Sequence, residues 1–357
     1  MARELSPLNS VLMVLGFVLA RTLVVASQPQ VPCYFIFGDS LVDNGNNNNL
    51  RTMAKANYPP YGIDFPEGVS GRFTNNRTLA DIIGQLLGFP DFIPPYANLT
   101  DQEISTGVNY GSGGAGIREE SGRNLGGRIS LSRQLVNHLA ITSRLTLMQR
   151  NSTFTKDYLK KCIYIVNMGS NDYINNYFMP NEYPTSRIYN TDRYAEVLVQ
   201  QYSTQLKTLY NVGARKIAVF GLGQIGCTPA EIAMFRTGGP CVDSINDAVK
   251  LFNDRLKPLV DQLNKDNSDA RFTFINITSI SAPQGGGESV PNVPCCPVRE
   301  DGQCVPNSIP CPVRDLSVYY DGFHPTDIAN SVLATRSFTA VSSTDASPYD
   351  ISQLAQL

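Results

Sequence analysis

The residues best suited to proton transfer lie close together near the C-terminus. The chain has 357 residues and two histidines, and His324 follows Asp321 by three positions. Imidazole exchanges a proton readily near neutral pH, and a neighbouring carboxylate orients it and fixes its tautomer. We therefore predict that His324 is a general base oriented by Asp321. The same spacing is also typical of a helix start before residues 326–332, and both interpretations can hold together.

A serine that this base can activate follows an apolar run near the beginning of the chain. Residues 31–37 predict a buried strand, and Ser40 lies just after it, in the sequence Gly38-Asp39-Ser40. A serine hydroxyl attacks a carbonyl only with a neighbouring base and a site that stabilises the oxyanion. Residues 43–49, rich in asparagine, suit a tight strand exit. Ser40 is therefore our candidate nucleophile, against the simpler interpretation that this segment is only a turn.

Two further segments offer hydrogen-bond donors for such an oxyanion. Residues 162–168 predict a second buried strand, and Asn171 follows it in a polar turn. Between the two strands, the cluster Gly111 to Gly116 carries backbone N–H groups that can face an anion. Taken alone, Asn171 is more typical of an ordinary turn or a helix cap. Its position after a buried strand favours a role at the site.

In this order, the serine, the glycine cluster, the asparagine and the Asp-x-x-His segment resemble the GDSL esterase/lipase family of SGNH-type serine hydrolases, and specifically its large secreted branch in plants. The resemblance covers nearly the whole mature chain. It implies that Ser40 is the nucleophile, His324 the general base and Asp321 the orienting carboxylate. It also implies an oxyanion hole formed by the Ser40 N–H, the Asn171 amide and the N–H of Gly113, or of a residue adjacent to Gly113.

The remaining motifs do not support another class of functional site. The lipase motif Gly-x-Ser-x-Gly is absent from the sequence, which disfavours a standard α/β-hydrolase. The pattern G-x-G-x-x-G occurs at 111–116 and 221–226. A dinucleotide site needs a helix directly after these glycines. A non-helical sequence follows the first pattern instead, and Pro229 follows the second. His138 lies among leucines at helical spacing, and this pattern predicts that His138 lies at the rim of an amphipathic helix. We expect no cofactor and no metal.

Composition restricts the class of partner. Hydrophobic residues make up 42% of the chain and charged residues 17%, which is typical of a globular protein with a large core. The net charge of −2 gives no reason to expect binding to nucleic acid or to an anionic membrane. We expect a monomer that acts on a small-molecule ester or on a lipid or polysaccharide ester.

The N-terminal segment predicts secretion. An apolar run at 11–20 is too short to span a bilayer and precedes small residues near Ala26. We interpret residues 1–26 as a secretory signal peptide and 27–357 as a single SGNH/GDSL hydrolase domain, located outside the cell in the cell wall or apoplast. No other stretch predicts a transmembrane helix.

Secretion determines how the eight cysteines are interpreted. Six of them lie in the C-terminal half, in segments rich in glycine and proline, and predict disulfides. Their spacing matches no common zinc site. Cys33 and Cys162, in the first and second predicted strands, are either buried thiols or a further pair, and the connectivity stays open. Four Asn-x-Ser/Thr sequences predict glycosylation, with the last the most shielded, at Asn76, Asn98, Asn151 and Asn276.

Alternation of apolar strands with amphipathic helices predicts a single-domain, three-layer α/β/α fold with a mostly parallel five-stranded sheet. The resemblance to SGNH hydrolases implies that this fold is flavodoxin-like. The predicted strands are 31–37, 107–111, 162–168, 216–221 and 271–277. The predicted helices are 79–87, 131–150, 194–210, 245–263 and 326–336. In such sheets ligands bind at the carboxyl ends of the strands, where the serine, glycine and asparagine blocks lie.

The chemistry predicted from these residues is acyl transfer from an ester to water through an acyl-enzyme. Two alternatives stay open at this stage. The same site can pass the acyl group to a sugar or lipid hydroxyl, which makes the protein an acyltransferase. The chain can also be a catalytically silent cell-wall glycoprotein that keeps the scaffold, although such a protein has no physical need for all four blocks.

Overall fold

A five-stranded sheet forms the centre of the protein, as seen in a computed structural model that describes residues 28–282 and 292–357. The predicted signal peptide, residues 1–26, lies outside the described residues. Strands β1 to β4 are parallel and adjacent in sequence order, and β5 pairs antiparallel with β4. The strands are β1 Tyr34–Gly38, β2 Ile163–Asn167, β3 Lys216–Phe220, β4 Arg271–Ile275 and β5 Ala346–Ser347.

Helices connect the strands and cover the sheet. In chain order they are α1 Leu79–Leu86, α2 Leu131–Gln149, α3 Ser152–Lys161, α4 Ser170–Asp172, α5 Thr185–Ile188, α6 Thr191–Asn211, α7 Pro229–Phe235, α8 Asp243–Asp266, α9 Ile277–Ser281, α10 Asp327–Phe338 and α11 Ile351–Gln356. A π-helical turn, Tyr173–Tyr177, follows α4. All five predicted helices are confirmed. Helix α6 begins three residues before its predicted start because Asn190 caps it by accepting from the Arg193 N–H.

Successive side chains of each strand point to opposite faces of the sheet and pack into two separate cores. In β1, Phe35 and Phe37 lie in the core shared with α2, α6 and α8. Tyr34 and Ile36 lie in the core shared with α1, α10 and α11. Because both faces of the sheet are covered, β1 and β2 are buried throughout and β3 and β4 in all but their first residue, and the predicted three-layer α/β/α fold is confirmed.

One predicted strand is wrong. Residues 107–111 form only a single parallel bridge to β1, at Asn109 and Ile36, and the fifth strand of the sheet is β5. The ladder is interrupted at Gly38, whose N–H donates to the Gln134 side chain instead of to the Tyr110 carbonyl, although the Ser112 N–H still donates to the Gly38 carbonyl. The bridge still places this segment beside β1, on the side away from β2.

The predicted position of His138 is also wrong, because the apolar face of α2 was assigned with the wrong phase. Leu139 is 52% exposed, whereas His138 is fully buried. Its ring packs edge-on against Phe35 and Phe37, and its Nδ1 lies 3.0 Å from the Tyr110 hydroxyl. Burial lowers the pKa of His138 to about 3, so the imidazole is a neutral core group near neutral pH.

The eight cysteines form four disulfides, which confirms the prediction for the C-terminal half and settles the open question about the first pair. Cys33–Cys162 joins the residues that precede β1 and β2. The other pairs are Cys227–Cys241, Cys295–Cys311 and Cys296–Cys304. Within the two described ranges, no helix combines the length and the hydropathy that crossing a membrane requires.

Candidate active site

Three side chains from two distant parts of the sequence meet at the carboxyl ends of β1 and β2. The Nε2 of His324 lies 2.8 Å from the Ser40 Oγ. The Nδ1 of the same ring lies 2.7 Å from Oδ2 and 2.9 Å from Oδ1 of Asp321. The structure therefore brings together the predicted serine, histidine and aspartate, in the order that allows a carboxylate to fix the imidazole and the imidazole to accept the hydroxyl proton.

The end of β1 holds the serine in a fixed place. A Cβ on Gly38 would lie 2.6 Å from the Asn167 carbonyl oxygen and 2.5 Å from a Val42 methyl carbon, so only glycine allows β1 and β2 to stay this close. The Gln134 side chain of α2 accepts from the Gly38 N–H and donates to its carbonyl. These contacts fix the backbone two residues before Ser40.

The asparagine-rich loop after the serine is held by a buried carboxylate. Asp43 Oδ1 accepts from the N–H groups of Gly45 and Asn46, and its Oδ2 accepts from the Gly113 N–H at 2.9 Å. Burial raises the pKa of Asp43 to about 6, against the lowering effect of these N–H donors. Asp43 thus connects the serine loop to the glycine cluster.

The same bond bears on which glycine N–H of the cluster is available to a ligand. Because the Gly113 N–H already donates to Asp43, it is not free to donate to a substrate. The next residue, Gly114, lines the cavity that contains Ser40 and His324. Across residues 28–282 and 292–357, neither the Gly114 N–H nor the Ser40 N–H has a hydrogen-bond acceptor. Gly114 has φ of 80°, a conformation that favours glycine.

Asn171 lines the same cavity, and its neighbours fix the orientation of its amide. Asn175 donates to its Oδ1 at 2.8 Å, so its NH₂ group points toward the site. One of the two N–H bonds donates to the Ala115 carbonyl at 2.9 Å. The other is directed toward Asp39 Oδ2 at 3.5 Å, which is at the limit of a hydrogen bond. This second N–H is available to a closer acceptor.

Two buried carboxylates surround the asparagine. Asp172 accepts from the N–H groups of Ile117 and Arg118 and from the Ser121 hydroxyl, and burial raises its pKa to about 6. Burial raises the pKa of Asp39 to about 7, against the lowering effects of the Leu41 N–H and of His324. Asp172 therefore ties the chain after the glycine cluster to the segment that carries Asn171.

The base lies on an irregular segment that folds back on itself. Oδ1 of Asp321 accepts from the N–H groups of Phe323 and His324, each at 2.8 Å. Oδ2 accepts from the Tyr61 hydroxyl at 2.5 Å. The imidazole ring also lies against Phe73, with ring centroids 4.8 Å apart. The carboxylate is fully buried, and each of its oxygens has more than one partner.

A disulfide-linked segment packs against this irregular segment. The N–H groups of Cys295 and Cys296 donate to the carbonyls of Tyr319 and Tyr320, so the doubly cross-linked segment 295–311 lies directly against the residues before Asp321. Helix α7 packs on the other side, where the Ala230 N–H donates to the Gly322 carbonyl at 2.9 Å. The segment has only isolated bridges as strand-like pairing among the described residues.

A cavity of about 760 Å³ opens beside the serine, a volume in the usual range for small-molecule sites. Its lining includes Ser40, Gly114, Asn171 and His324, and its remaining wall is largely apolar. The apolar side chains come from several segments, among them the π-helical turn and α7, and include Phe73, Leu125, Ile174, Met179, Ile225, Ala233, Met234 and Phe323. Within the described part of the chain, no cluster of His, Cys, Asp and Glu is arranged to hold a metal ion.

A buried acidic residue of this wall has no hydrogen-bond partner in the described part of the chain. Glu231, in the first turn of α7, lines the cavity and is only 2% exposed. Its Oε2 is buried without a hydrogen-bond partner among the described residues. Burial raises the pKa of Glu231 to about 7, and no neighbouring cation opposes this shift. The cavity therefore contains a carboxyl group that is mostly neutral below pH 7.

The predicted glycosylation sites differ in exposure. Asn98 and Asn151 are exposed, whereas Asn76 and Asn276 are half-buried. Asn276 lies just after β4, and its Oδ1 caps α9 by accepting from the Ser279 N–H. Glycosylation at the four sites stays a prediction.

Residues that position the triad had weak signals in the sequence. The long-range contacts of Tyr61, Asp43 and Gln134 span tens to hundreds of positions, and nothing in the local sequence of these residues indicates those contacts. Asp172 directly follows Asn171, so its position after a predicted strand was the one available signal.

Comparison with known proteins gives a consistent result. A family model described as GDSL-like Lipase/Acylhydrolase matches residues 34–336. The chain is 49% identical over 355 residues to GDSL esterase/lipase At1g29670 of Arabidopsis thaliana, covering 97% of each protein. It is 50% identical over 342 residues to GDSL esterase/lipase At1g29660 of the same plant, covering 93% of this chain and 94% of the relative. A third relative, GDSL esterase/lipase At5g45670, is 48% identical over 357 residues, covering 97% of this chain and 99% of its own length.

Proposed function

Because the chain belongs to the GDSL-like lipase/acylhydrolase family, we propose that it hydrolyses carboxylic esters through Ser40, His324 and Asp321. The observation that carries the proposal is the 2.8 Å contact between His324 Nε2 and Ser40 Oγ. This contact joins a residue near the start of the mature chain to one near its end. The relatives named as esterases or lipases support the same class of reaction.

The mechanism follows from the geometry. His324 Nε2 accepts the Ser40 proton while Oγ attacks the ester carbonyl carbon. The tetrahedral oxyanion accepts hydrogen bonds from the N–H groups of Ser40 and Gly114 and from the second N–H of the Asn171 amide. His324 then donates its proton to the leaving alcohol, and an acyl group stays on Ser40. A water molecule, deprotonated by His324, hydrolyses this acyl-enzyme and restores the serine.

The cavity favours substrates with an apolar acyl group. Its apolar wall, which includes Leu125, Ile174 and Met234, can accommodate hydrocarbon that would otherwise be exposed to water. We therefore assign lipid-like esters as the substrate class, ahead of esters of short acids. The four disulfides support folding in an oxidising compartment and hence secretion.

The test is hydrolysis of p-nitrophenyl esters, from acetyl to palmitoyl, by protein expressed through an oxidising secretory route. Ser40→Ala should abolish turnover while the protein stays folded. Ser337→Ala is the control, because that buried hydroxyl donates only to the Leu333 carbonyl within α10. Full activity of Ser40→Ala would refute the nucleophile, and inactivity of folded wild-type protein on every ester would favour the silent glycoprotein. Product analysis with added alcohols separates a hydrolase from an acyltransferase.

A further inference from the structure

Tyr61 connects the candidate triad to the disulfide-linked segment. Its side chain is fully buried. Its hydroxyl is 2.5 Å from Asp321 Oδ2 and 3.1 Å from the backbone nitrogen of Cys304. Cys304 is itself bonded to Cys296. The phenol oxygen therefore lies between a backbone donor and the carboxylate that faces the imidazole.

The direction of both hydrogen bonds is fixed by chemistry. A backbone N–H can only donate, so the Tyr61 oxygen accepts from Cys304. The single hydroxyl hydrogen is then directed to Asp321, which as a carboxylate can only accept. Burial and the charge of Asp321 raise the pKa of Tyr61 well above its usual value, so this hydrogen stays on the tyrosine. Asp321 thus accepts from two sides, from the Tyr61 hydroxyl and from the His324 Nδ1–H, and Tyr61 in turn accepts from the Cys304 N–H.

We propose that Tyr61 is a positioning residue for ester hydrolysis, which holds Asp321 in the orientation that fixes the His324 ring. This inference rests on the proposed function. The Phe323 and His324 N–H groups restrain Oδ1, and Tyr61 is the donor outside that local turn. Without it, Oδ2 is restrained only by the imidazole that it has to orient. Tyr61 does not line the cavity, so its loss should not change substrate binding.

Removal of the hydroxyl should leave the ring in place. The Tyr61 ring packs against the rings of Tyr58, Phe73 and Tyr320, with centroid distances of 5.3, 6.1 and 5.8 Å. These contacts do not involve the hydroxyl, so Tyr61→Phe removes one hydrogen bond and keeps the packing. A hydrogen bond to a charged group contributes about 1.5–3 kcal/mol, which corresponds to a loss of about 10- to 100-fold in kcat.

The pH profile should also move. A carboxylate that has lost a donor keeps more of its negative charge and stabilises a protonated imidazole more strongly. The acidic limb of kcat/KM against pH should therefore move to higher pH. Other titratable or charged groups also surround Asp321 and His324. Asp39 on the serine loop and Glu231 on α7 line the same cavity as His324. Tyr58, Tyr320 and the Arg299–Asp301 ion pair lie around the Tyr61 ring. Among the described residues, Tyr61 is the one phenol that donates to Asp321.

Two neighbouring tyrosines provide matched controls. The Tyr58 hydroxyl donates to the Cys304 carbonyl at 3.0 Å, and the Tyr320 hydroxyl donates to the Pro60 carbonyl at 2.6 Å. Each is a phenol in the same cluster, and neither donates to the carboxylate. Tyr58→Phe and Tyr320→Phe therefore report what the loss of a hydroxyl does to the packing of this region alone.

The experiment measures kcat, KM and the pH profile for the wild type, the three Phe variants and Ser40→Ala, with one p-nitrophenyl ester. We expect Tyr61→Phe to lower kcat by about 10- to 100-fold at an unchanged KM, with the acidic limb at higher pH, and the two controls to keep wild-type values. A wild-type kcat and pH profile in Tyr61→Phe would overturn the inference, as would an equal loss in Tyr58→Phe. An inactive wild type, or an active Ser40→Ala, would instead refute the proposed function.

A second measurement does not depend on turnover. The proton between His324 Nδ1 and Asp321 should give a downfield proton NMR signal, because both partners are buried. This signal should shift in Tyr61→Phe and stay in place in Tyr58→Phe. If neither variant moves it, Tyr61 does not act on the carboxylate.

Discussion

The two halves of the candidate site are held in place by different kinds of interaction. Ser40 follows a strand whose backbone is fixed by the parallel register of β1 and β2 and by the Gln134 side chain, and Asp43 connects the loop after Ser40 to Gly113. His324 lies on a segment without regular pairing, and disulfides, Tyr61 and α7 surround that segment. A strand end thus needs no covalent link near the serine, whereas an irregular segment needs cross-links to keep the base in place.

The disulfide Cys33–Cys162 makes the contrast sharper. It lies at the amino ends of β1 and β2, the end of the sheet opposite Ser40 and Asn171. It therefore cross-links the nucleophile's half of the protein without contacting the site. The bond Cys296–Cys304 lies next to the base, because the Cys304 N–H donates to Tyr61.

The largest effect should come from the base itself. His324→Ala leaves Ser40 without a proton acceptor, and kcat should fall by about 10⁴-fold or more. His138→Ala is the matched control, because it removes a neutral histidine from the core. That variant should unfold more easily and keep its kcat in the folded protein. Steady-state kinetics with a thermal unfolding curve for each variant checks this, and comparable kcat values for the two would contradict the assignment of the base.

The nucleophile's half should show the next largest effect. Asn171→Ala removes one oxyanion donor, and kcat should fall by about 10²- to 10³-fold with little change in KM. Asn175→Ala keeps the donor and removes the bond that orients it, so its loss of kcat should be smaller. If the Asn175 variant lost more than the Asn171 variant, the amide would not be acting as a donor to the substrate.

The two disulfides should then separate stability from activity. In the chain-entropy account, the bond across 129 residues stabilises the protein by about 5 kcal/mol and the bond across 8 residues by about 2.5 kcal/mol. Replacing both cysteines of Cys33–Cys162 by alanine should therefore cost more unfolding free energy. The same replacement at Cys296–Cys304 should lower kcat more, by about tenfold, because it frees the donor to Tyr61. Urea unfolding and steady-state kinetics on both variants test this expectation. A single variant with the larger loss in both unfolding free energy and kcat would contradict it.

The last effect is on stability alone and concerns α7, which packs against the segment that carries His324. Glu231 binds its proton more tightly in the folded state, since its pKa rises from 4.5 to about 7. Its contribution to stability is therefore lost as pH rises from about 4.5 to about 7. Glu231→Gln cannot ionise and should be more stable than the wild type at pH 8, by up to about 3 kcal/mol, with a much smaller difference at pH 4.

Glu300→Gln is the control for this effect, because Glu300 lines the same cavity but is exposed. Urea unfolding at the two pH values measures the difference. A Glu231 variant with the same pH dependence as the wild type would show that the carboxyl group ionises freely in the folded protein.

The fold was largely predictable because its strands are continuous apolar runs between amphipathic helices. The segment 107–111 was not, because an apolar run does not show that the Gly38 N–H of β1 donates to the Gln134 side chain instead of to this segment. His138 was misplaced because the leucine spacing fits two phases of one helix, and only packing against Phe35 and Phe37 decides between them. β5 has two residues, too few for any periodic signal.

The site shows the same division. Ser40, Asn171, Asp321 and His324 were predictable because each lies in a short block with its own chemical signature. The choice between Gly113 and Gly114 was not, because it depends on which N–H the buried Asp43 takes. Tyr61 gave no signal, since its partner lies 260 positions away.

The most direct test of the central contact uses a fluorophosphonate probe, which reacts only with an activated serine, followed by mass spectrometry of the labelled peptide. The wild type should carry one adduct, on Ser40, and His324→Ala should react far more slowly under the same conditions. An adduct on a different serine, or labelling of the His324 variant at the wild-type rate, would contradict the account.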